Sequence, residues 1–337
     1  MPVFDVADLA VQGAVDAGAT YSDARVVVQR AETINVRNQN LEQYDLSESV
    51  GVGVRALIGS SWGFAATADM GSAAVRRAGE QAAAIAKASA LVPGPPMDFA
   101  DVPVHQASWS TPVVEDPFTV PTSDKVDLLV GVTATMQAVD GVEVATGNLT
   151  FWGTEKWFVS SQGHRIHQHI VESGGGFDAT AIGENETQRR SYPQSFGQFE
   201  TGGFEVVRAW HFADNAQRIA EEAVALLTAD ELDERETNLI LEGSQLALQI
   251  HESVGHAIEL DRILGWEAAF AGTSHLELPE LHRHRYGSPL MNITADATLP
   301  GALGSFGYDD EGTPAQSVDI VKGGLWVGVL SGRDSAA

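Results

Sequence analysis

Residues 50–67 read VGVGVRALIGSSWGFAAT, with a valine at every second position from 50 to 54. Side chains two residues apart lie on the same face of a β-strand, so this alternation predicts a strand with one buried face. Trp62 and Phe64 alternate in the same way after Gly59-Ser60, a typical turn sequence. The segment therefore predicts two strands joined by a tight turn.

The period-two pattern extends from Asp23 to Thr67, and helical patterns flank it on both sides. Residues 6–17 place apolar side chains at helical spacing, and the alanine-rich stretch 71–91, which ends at Val92-Pro93-Gly94-Pro95-Pro96, predicts a second helix. A proline-rich connection at residues 92–121 follows, and then the order recurs. The second set comprises a helix at 124–139, strand-like segments from 142 to 199 and a long helix at 204–227.

Residues 233–337 show a different pattern. A short strand is predicted at 237–241, then an apolar helical segment at 246–264, then strands at 290–295, 316–321 and 325–330. We therefore expect an α+β protein of two domains. Residues 1–232 form an N-terminal helix and antiparallel-sheet domain with two similar helix–strands–helix halves. Residues 233–337 begin a mostly-β C-terminal domain, which we expect to be incomplete because no stop signal follows its last strand.

Composition excludes several classes of function. The formal net charge of −26 argues against a nucleic-acid partner, because phosphate binding needs clustered lysines and arginines. No run reaches the roughly 18 apolar residues of a membrane span, and the N-terminus lacks the pattern of a secretory signal. The absence of cysteine excludes disulfides and thiol catalysis in this chain. These features predict a cytoplasmic protein without a nucleic-acid or membrane partner.

A cluster of chemically reactive side chains lies in the apolar segment, at His251-Glu252-Ser253-Val254-Gly255-His256. Two imidazoles and an adjacent carboxylate are what a zinc hydrolase uses as two metal ligands and a general base. This HExxxH spacing has one residue more than the familiar zinc-peptidase pattern. The other interpretation is a core helix whose histidines are satisfied by hydrogen bonds, and spacing alone leaves both open.

The extra residue makes a structural prediction. On a regular α-helix, His256 would lie about 140° from His251, too far for both imidazoles to face one ion. A spacing of five is the repeat of a π-turn, so a π-bulge or local unwinding within residues 251–256 would bring both rings to one face. Gly255 suits such a distortion because glycine is conformationally permissive.

Other acidic and histidine residues have less specific patterns. Glu259 suits three roles: a metal ligand, an acceptor for an imidazole N–H, or a surface charge, and Asp261 is a weaker version of the same idea. Two pairs of histidines are further candidates for metal binding. His167 and His169 share one strand face, where a metal pair is less expected than a solvated face, and His282 and His284 predict a polar loop.

Several blocks of the sequence resemble the TldD/PmbA metallopeptidases, and in particular the TldD-type catalytic member. The blocks are GVGVR (51–55), WGFA (62–65), HESVGHAIELDR (251–262), GWEAAFAGTS (265–274), NITADATLPG (292–301) and GYDDEGTPAQ (307–316). The resemblance implies that His251 and His256 bind zinc and that Glu252 is the general base. The family's third ligand is a cysteine in a C-terminal region that this chain lacks. The resemblance thus implies a C-terminally truncated member, whose site is either incomplete and weakly metal-binding, which we favour, or completed by Glu259 or another group.

The resemblance also implies a function. The family cleaves unfolded or short peptides, and its members form homodimers or heteromers with a related non-catalytic subunit. A peptide substrate is expected to add as a β-strand to an exposed sheet edge. Gly304 to Gly307 suit either close approach of that substrate or a turn, and Asp309, Asp310 and Glu311 either orient a ligand histidine or are solvated. The alternative is a non-catalytic binding or scaffold subunit, and we expect the chain by itself to be inactive.

Overall fold

A computed structural model describes residues 2–92, 99–195 and 197–337, so the predicted helix stop at 93–96 lies outside the described residues. The N-terminal elements are α1 (Val3–Asp16), β1 (Tyr21–Arg37), β2 (Asn40–Ile58), β3 (Ser61–Thr67), α2 (Ser72–Ser89), β4 (Gln106–Ser110), α3 (Thr122–Gln137), β5 (Val142–Ser160), β6 (Arg165–Ile182), β7 (Thr187–Tyr192), β8 (Gln198–Thr201), α4 (Phe204–Ala209) and α5 (Phe212–Leu226). The C-terminal elements are α6 (Gly243–Ile250), a π-turn (His251–Gly255), α7 (Leu260–Ile263), a 3₁₀ turn (Leu278–Glu280), β9 (Ile293–Asp296), β10 (Ser317–Lys322) and β11 (Leu325–Trp326).

Eight strands form one large sheet in the order β3-β2-β1-β5-β6-β4, with β7 and β8 also paired to β6. All its strand pairs are antiparallel except β4 with β6. The alternating apolar side chains of neighbouring strands lie opposite one another. Val26 of β1, for example, lies opposite Val52 of β2 and Trp157 of β5. Together with a separate three-stranded sheet, β11-β10-β9, this confirms the α+β prediction.

One face of the large sheet carries two separate hydrophobic cores. Helices α1 and α2 cover the end formed by β1, β2, β3 and β5, whereas α3 and α5 cover the end formed by β1, β5 and β6. Side chains of the first core include Val6, Ala10, Val26, Val54, Ala82 and Val159. Those of the second core include Ile34, Leu129, Leu149, Phe151, Phe177 and Ile219. The order helix, strands, helix thus occurs twice on a single sheet.

The C-terminal region contacts the opposite face of the sheet. Lys156 of β5 pairs with Asp310 at 2.6 Å, and the Gln168 side chain accepts hydrogen bonds from the backbone N–H groups of Gly307 and Tyr308. A third core, which contains Val254, Ile258, Leu276, Ile320, Val321 and Trp326, holds the C-terminal elements together. The large sheet therefore supports the C-terminal region, which contains the HExxxH sequence, through these contacts. No described helix is long and apolar enough to cross a membrane.

Three predicted elements differ from the structure. Residues 237–241 are not a strand, and Ile240 is 94% exposed, because no strand among the described residues lies beside them to pair with. The long helix at 204–227 is interrupted between α4 and α5, where His211 adopts a φ of 51°. Of the last predicted strand, 325–330, the described structure forms a strand over β11, and Leu330 makes an isolated parallel bridge with Glu259.

Candidate metal centre

The π-turn predicted from the spacing of the two histidines is confirmed. Helix α6 continues into a single π-turn at His251–Gly255, and the His256 N–H donates to the His251 carbonyl at 3.1 Å. This widened turn brings the two imidazoles to one face, with ring centroids 4.3 Å apart. One potential ligand atom from each of His251, Glu252 and His256 lies within 4.8 Å of the others. The three side chains therefore converge on one point.

Gly255 is not required for this turn in the way its sequence position suggests. Its backbone stays outside the left-handed region, and a Cβ built there would lie 3.9 Å from the Ile250 carbonyl oxygen and 4.0 Å from His251 Nδ1. Both are ordinary van der Waals distances. The turn is therefore produced by hydrogen bonding and packing rather than by the freedom of the glycine.

The convergent turn is tethered to the third core on its inner side. Val254 and Ile258 are buried there, and Ser274 donates to the Ala257 carbonyl at 2.7 Å. The Tyr286 hydroxyl donates to the Ser253 carbonyl, and burial raises the pKa of Tyr286, so the phenol remains a proton donor. These contacts hold the backbone of the turn while its reactive side chains face outward.

Of the three roles that the sequence allows for Glu259, the structure favours that of a hydrogen-bond partner for an imidazole. Its Oε1 lies 2.9 Å from His256 Nδ1, and its Oε2 accepts a bond from Arg262 Nε at 2.9 Å. Arg262 also donates to the Ala271 carbonyl at 3.0 Å, so it is anchored independently of the carboxylate. With Nδ1 facing Glu259, the imidazole of His256 is oriented with Nε2 available to a ligand. Glu259 is thus a partner of the histidine, placed to orient it.

The reactive side chains are open to solvent. The side chains of His251, Glu252 and His256 are 58%, 63% and 33% exposed. Glu252 Oε1 lies 3.9 Å from His251 Nε2, and no lysine or arginine among the described residues pairs with Glu252. Two imidazole nitrogens and a nearby carboxylate are a donor set that fits zinc.

The acidic residues near position 310 lie in a turn, as one sequence alternative predicts, and Asp310 is 66% exposed, but their carboxylates are also engaged by partners. Asp310 pairs with Lys156, and Glu311 pairs with Arg55 at 3.1 Å. Asp309 caps its own turn by accepting bonds from the N–H groups of Glu311 and Thr313. Their described partners lie in the large sheet, in their own turn and at the Arg333 N–H, and neither His251 nor His256 is among them.

The two glycines of residues 304–307 differ, because Gly307 packs within the protein whereas a Cβ at the exposed Gly304 would meet no atom within 4 Å. A Cβ at Gly307 would lie 2.3 Å from Trp109 Cγ, so the close approach that this glycine permits is to the tryptophan.

The remaining candidate residues make local contacts. Asp261 accepts a hydrogen bond from the Arg262 N–H, which is a contact within one turn. His282 and His284 lie in a turn region, as the sequence predicts. Arg262 and Tyr286 were not identified from sequence, although Arg262 lies at helical pairing distance from Glu259.

Comparisons with known proteins match most of the chain. Three family models match, described as PmbA/TldA metallopeptidase domain 1 (residues 22–86), the central domain (115–229) and the C-terminal domain (234–337). A metalloprotease of Methanothermobacter thermautotrophicus is 27% identical over 94% of this chain, and one of Methanocaldococcus jannaschii is 25% identical over 94%. The chain spans 65% of the length of the first relative and 67% of the second.

Solved structures share the fold. Crystal structures of proteins from Bacteroides thetaiotaomicron and Thermotoga maritima, each described as a candidate modulator of DNA gyrase, superpose with TM-scores of 0.74 and 0.72. Each covers 99% of this chain, which covers 72% of each of them. Sequence identities of 12% and 16% mean that this likeness shows the fold alone.

Proposed function

This chain belongs to the PmbA/TldD metallopeptidase family, and we propose that it is the catalytic part of a zinc-dependent peptidase that cleaves unfolded or short peptides. In this proposal residues 233–337 carry the metal centre and residues 1–232 support it. The observation that carries the proposal is the convergence of His251, Glu252 and His256 within 4.8 Å on a solvent-exposed turn.

Each side chain has a separate role in the proposed reaction. His251 and His256 would hold zinc through neutral imidazole nitrogens. Zinc supplies Lewis acidity, which polarises the scissile carbonyl and lowers the pKa of water. Glu252, exposed and without a cationic partner among the described residues, accepts the proton of the attacking water and returns it to the leaving amine. Glu259 keeps the His256 ring oriented.

The coordination proposed here leaves room for a further protein ligand. A catalytic zinc ion has three protein ligands and one position for water or substrate. Both Glu259 oxygens are engaged, by His256 and Arg262, so this carboxylate is poorly placed to fill the third position. We therefore expect the described residues alone to bind zinc more weakly than a complete site does.

The test compares zinc content and peptide hydrolysis in matched variants. His251→Ala should remove one equivalent of zinc. Glu252→Gln should retain the zinc, and any hydrolysis of unfolded casein that the parent chain shows should fall by at least about 100-fold, the usual contribution of a general base. Glu277→Gln, an exposed glutamate without a side-chain partner among the described residues, is the control. Hydrolysis that survives Glu252→Gln, or a zinc content that does not fall when both histidines are replaced, would contradict the proposal.

One observation favours a second candidate function, that of a binding or scaffold subunit. Strand β3 pairs with β2 only over Val52–Ile58, so the outer edge of β2 from residue 40 to 51 has no strand partner among the described residues. Such an edge is a docking site for another extended chain. A second copy of this chain or a related subunit would pair there. Hydrolytic activity lost on Glu252→Gln, with self-association unchanged, would separate the two functions.

A further inference from the structure

A second group of potential metal ligands lies far from the π-turn, on the helix-covered face of the large sheet. Glu155 of β5 points to this face, as do His167 and His169 of β6. Glu155 lies between Phe151, which belongs to the core under α3 and α5, and Trp157, which packs against the core under α1 and α2. The group therefore lies in the gap between the two helix pairs. The side chains of His167 and Glu155 are 27% and 35% exposed, so ions in solvent can reach them.

The three side chains are placed by strand register. Glu155 lies directly opposite His169, and His167 lies opposite Trp157. In an antiparallel pair, opposite Cβ atoms are about 5 Å apart, so Glu155 and His169 are within reach of one small ion. The two histidines are two residues apart and share a face. In this structure the ligand atoms of these three side chains do not all lie within 4.8 Å of one another, so binding one cation requires the His169 imidazole to turn toward Glu155.

Two of the three donors already face one point. The Nε2 atom of His167 contacts the Glu155 carboxylate, and the imidazole stacks on Trp157 with centroids 4.8 Å apart and planes at 20°. The stacking fixes the direction of the nitrogen. No hydrogen bond or ring contact from the described residues engages the His169 imidazole, so it is free to rotate toward Glu155.

We propose that Glu155, His167 and His169 bind a divalent transition-metal ion of the zinc class at a site distinct from His251 and His256. Two neutral imidazoles and one carboxylate are donors that suit zinc, nickel and copper better than calcium or magnesium, which prefer oxygen. Ser108 and Ser110 occupy the register positions beside His167 and His169 on β4. Glu155 has no lysine or arginine partner among the described residues, so an ion would supply its counter-charge.

The experiment removes the first site and looks for the second. The 337-residue chain carrying His251→Ala and His256→Ala, stripped of metal with chelator, is titrated with zinc chloride by calorimetry. One equivalent should still bind. Adding His169→Asn should weaken that equivalent at least 10-fold, and adding Glu155→Gln should do the same. Circular dichroism confirms that each variant is folded, and Glu155→Gln preserves the shape of the side chain if the histidine change perturbs the sheet.

A matched control is His211→Asn in the same background. His211 is an exposed histidine elsewhere in the sheet domain, and asparagine tolerates its positive φ. This control should bind zinc as tightly as its parent. The proposal is overturned if the double variant binds no zinc, or if its equivalent is unaffected by both His169→Asn and Glu155→Gln. Because the first site is already absent, neither outcome depends on whether the chain is a peptidase.

Discussion

Glu259 is held from two sides, and this makes its effect on the first metal site measurable. One carboxylate oxygen faces His256 Nδ1, and the other accepts a hydrogen bond from the Arg262 guanidinium. Arg262 is itself fixed by the Ala271 carbonyl, so the carboxylate has little freedom to follow the imidazole if the ring turns. The ring is therefore oriented by the protein before any ion binds, which lowers the entropy lost on binding.

We expect Glu259→Gln to weaken zinc binding at His251 and His256 by 10-fold to 100-fold, the usual cost of losing such a partner. The amide keeps the shape of the side chain but loses the charge that holds the imidazole N–H and Arg262. The measurement is competitive zinc titration in a background with His169→Asn, which removes the second proposed site. Glu277→Gln should leave the affinity unchanged, and an equal loss in both variants would mean that Glu259 does not orient the ring.

The geometry of the motif was predictable because it is local. A spacing of five between two histidines defines the turn that aligns them, and no distant contact is needed to deduce it. The roles of Gly255 and Glu259 were not predictable to the same degree. Gly255 has a plausible conformational reason that the structure does not use, and Glu259 had three compatible roles until the position of Arg262 was known.

At the level of elements, glycines allow α1, α2 and β3 to pack closely, because a side chain at these positions would clash with backbone atoms. A Cβ at Gly79 of α2 would lie 2.1 Å from the Ala10 carbonyl oxygen of α1. A Cβ at Gly63 of β3 would lie 2.0 Å from the Ala82 carbonyl oxygen of α2. These contacts involve backbone atoms, which cannot move without shifting a whole helix. The small residues in this layer are therefore required by packing and not by local conformation.

We expect Gly79→Ala to destabilise the protein by about 3 kcal/mol or more, because overpacking must separate the two helices. Gly131→Ala is the matched control, since Gly131 also lies inside a helix, α3, but has no atom within 4 Å of the added Cβ. It should stabilise the protein by about 0.5–1 kcal/mol through helix propensity. Urea unfolding measures both changes. A Gly79→Ala variant as stable as the Gly131→Ala variant would contradict the close helix contact.

The element boundaries that were missed share a physical cause. The apolar spacing continues across the break at His211, because Val207, Phe212 and Ala216 all face the same core, so the sequence pattern does not register the interruption. Residues 237–241 have the composition of a strand, but a strand needs a neighbour to pair with. Both outcomes depend on tertiary contacts, which a local pattern does not contain.

At the scale of the whole molecule, ion pairs join the C-terminal region to the large sheet. Arg55 of β2 binds the fully buried Asp23 through Nη2 at 2.6 Å and reaches Glu311 through Nη1 at 3.1 Å. The same Glu311 accepts the N–H of Arg333, whose guanidinium lies 3.9 Å from the Phe99 ring centroid. Partners more than 200 residues apart along the chain leave no trace in local patterning. This docking was therefore beyond prediction from one sequence.

The two partners of Arg55 are expected to contribute unequally to stability. Arg55→Met would leave the Asp23 carboxylate buried with only Arg25 at 3.6 Å and the Tyr21 hydroxyl, and the expected loss is about 3 kcal/mol. Glu311→Gln keeps the Arg55 and Asp23 pair and an acceptor for Arg333, so we expect a loss of about 1 kcal/mol or less. Combining Arg55→Met with Asp23→Asn should recover part of the first loss, because the unpaired buried charge is then removed. Chemical unfolding of the parent, Arg55→Met, Asp23→Asn and the double variant provides the cycle, and Glu311→Gln is measured beside them. If Arg55→Met cost no more than Glu311→Gln, the buried carboxylate would not depend on Arg55, and the C-terminal region would have to be held to the sheet by its packing contacts instead.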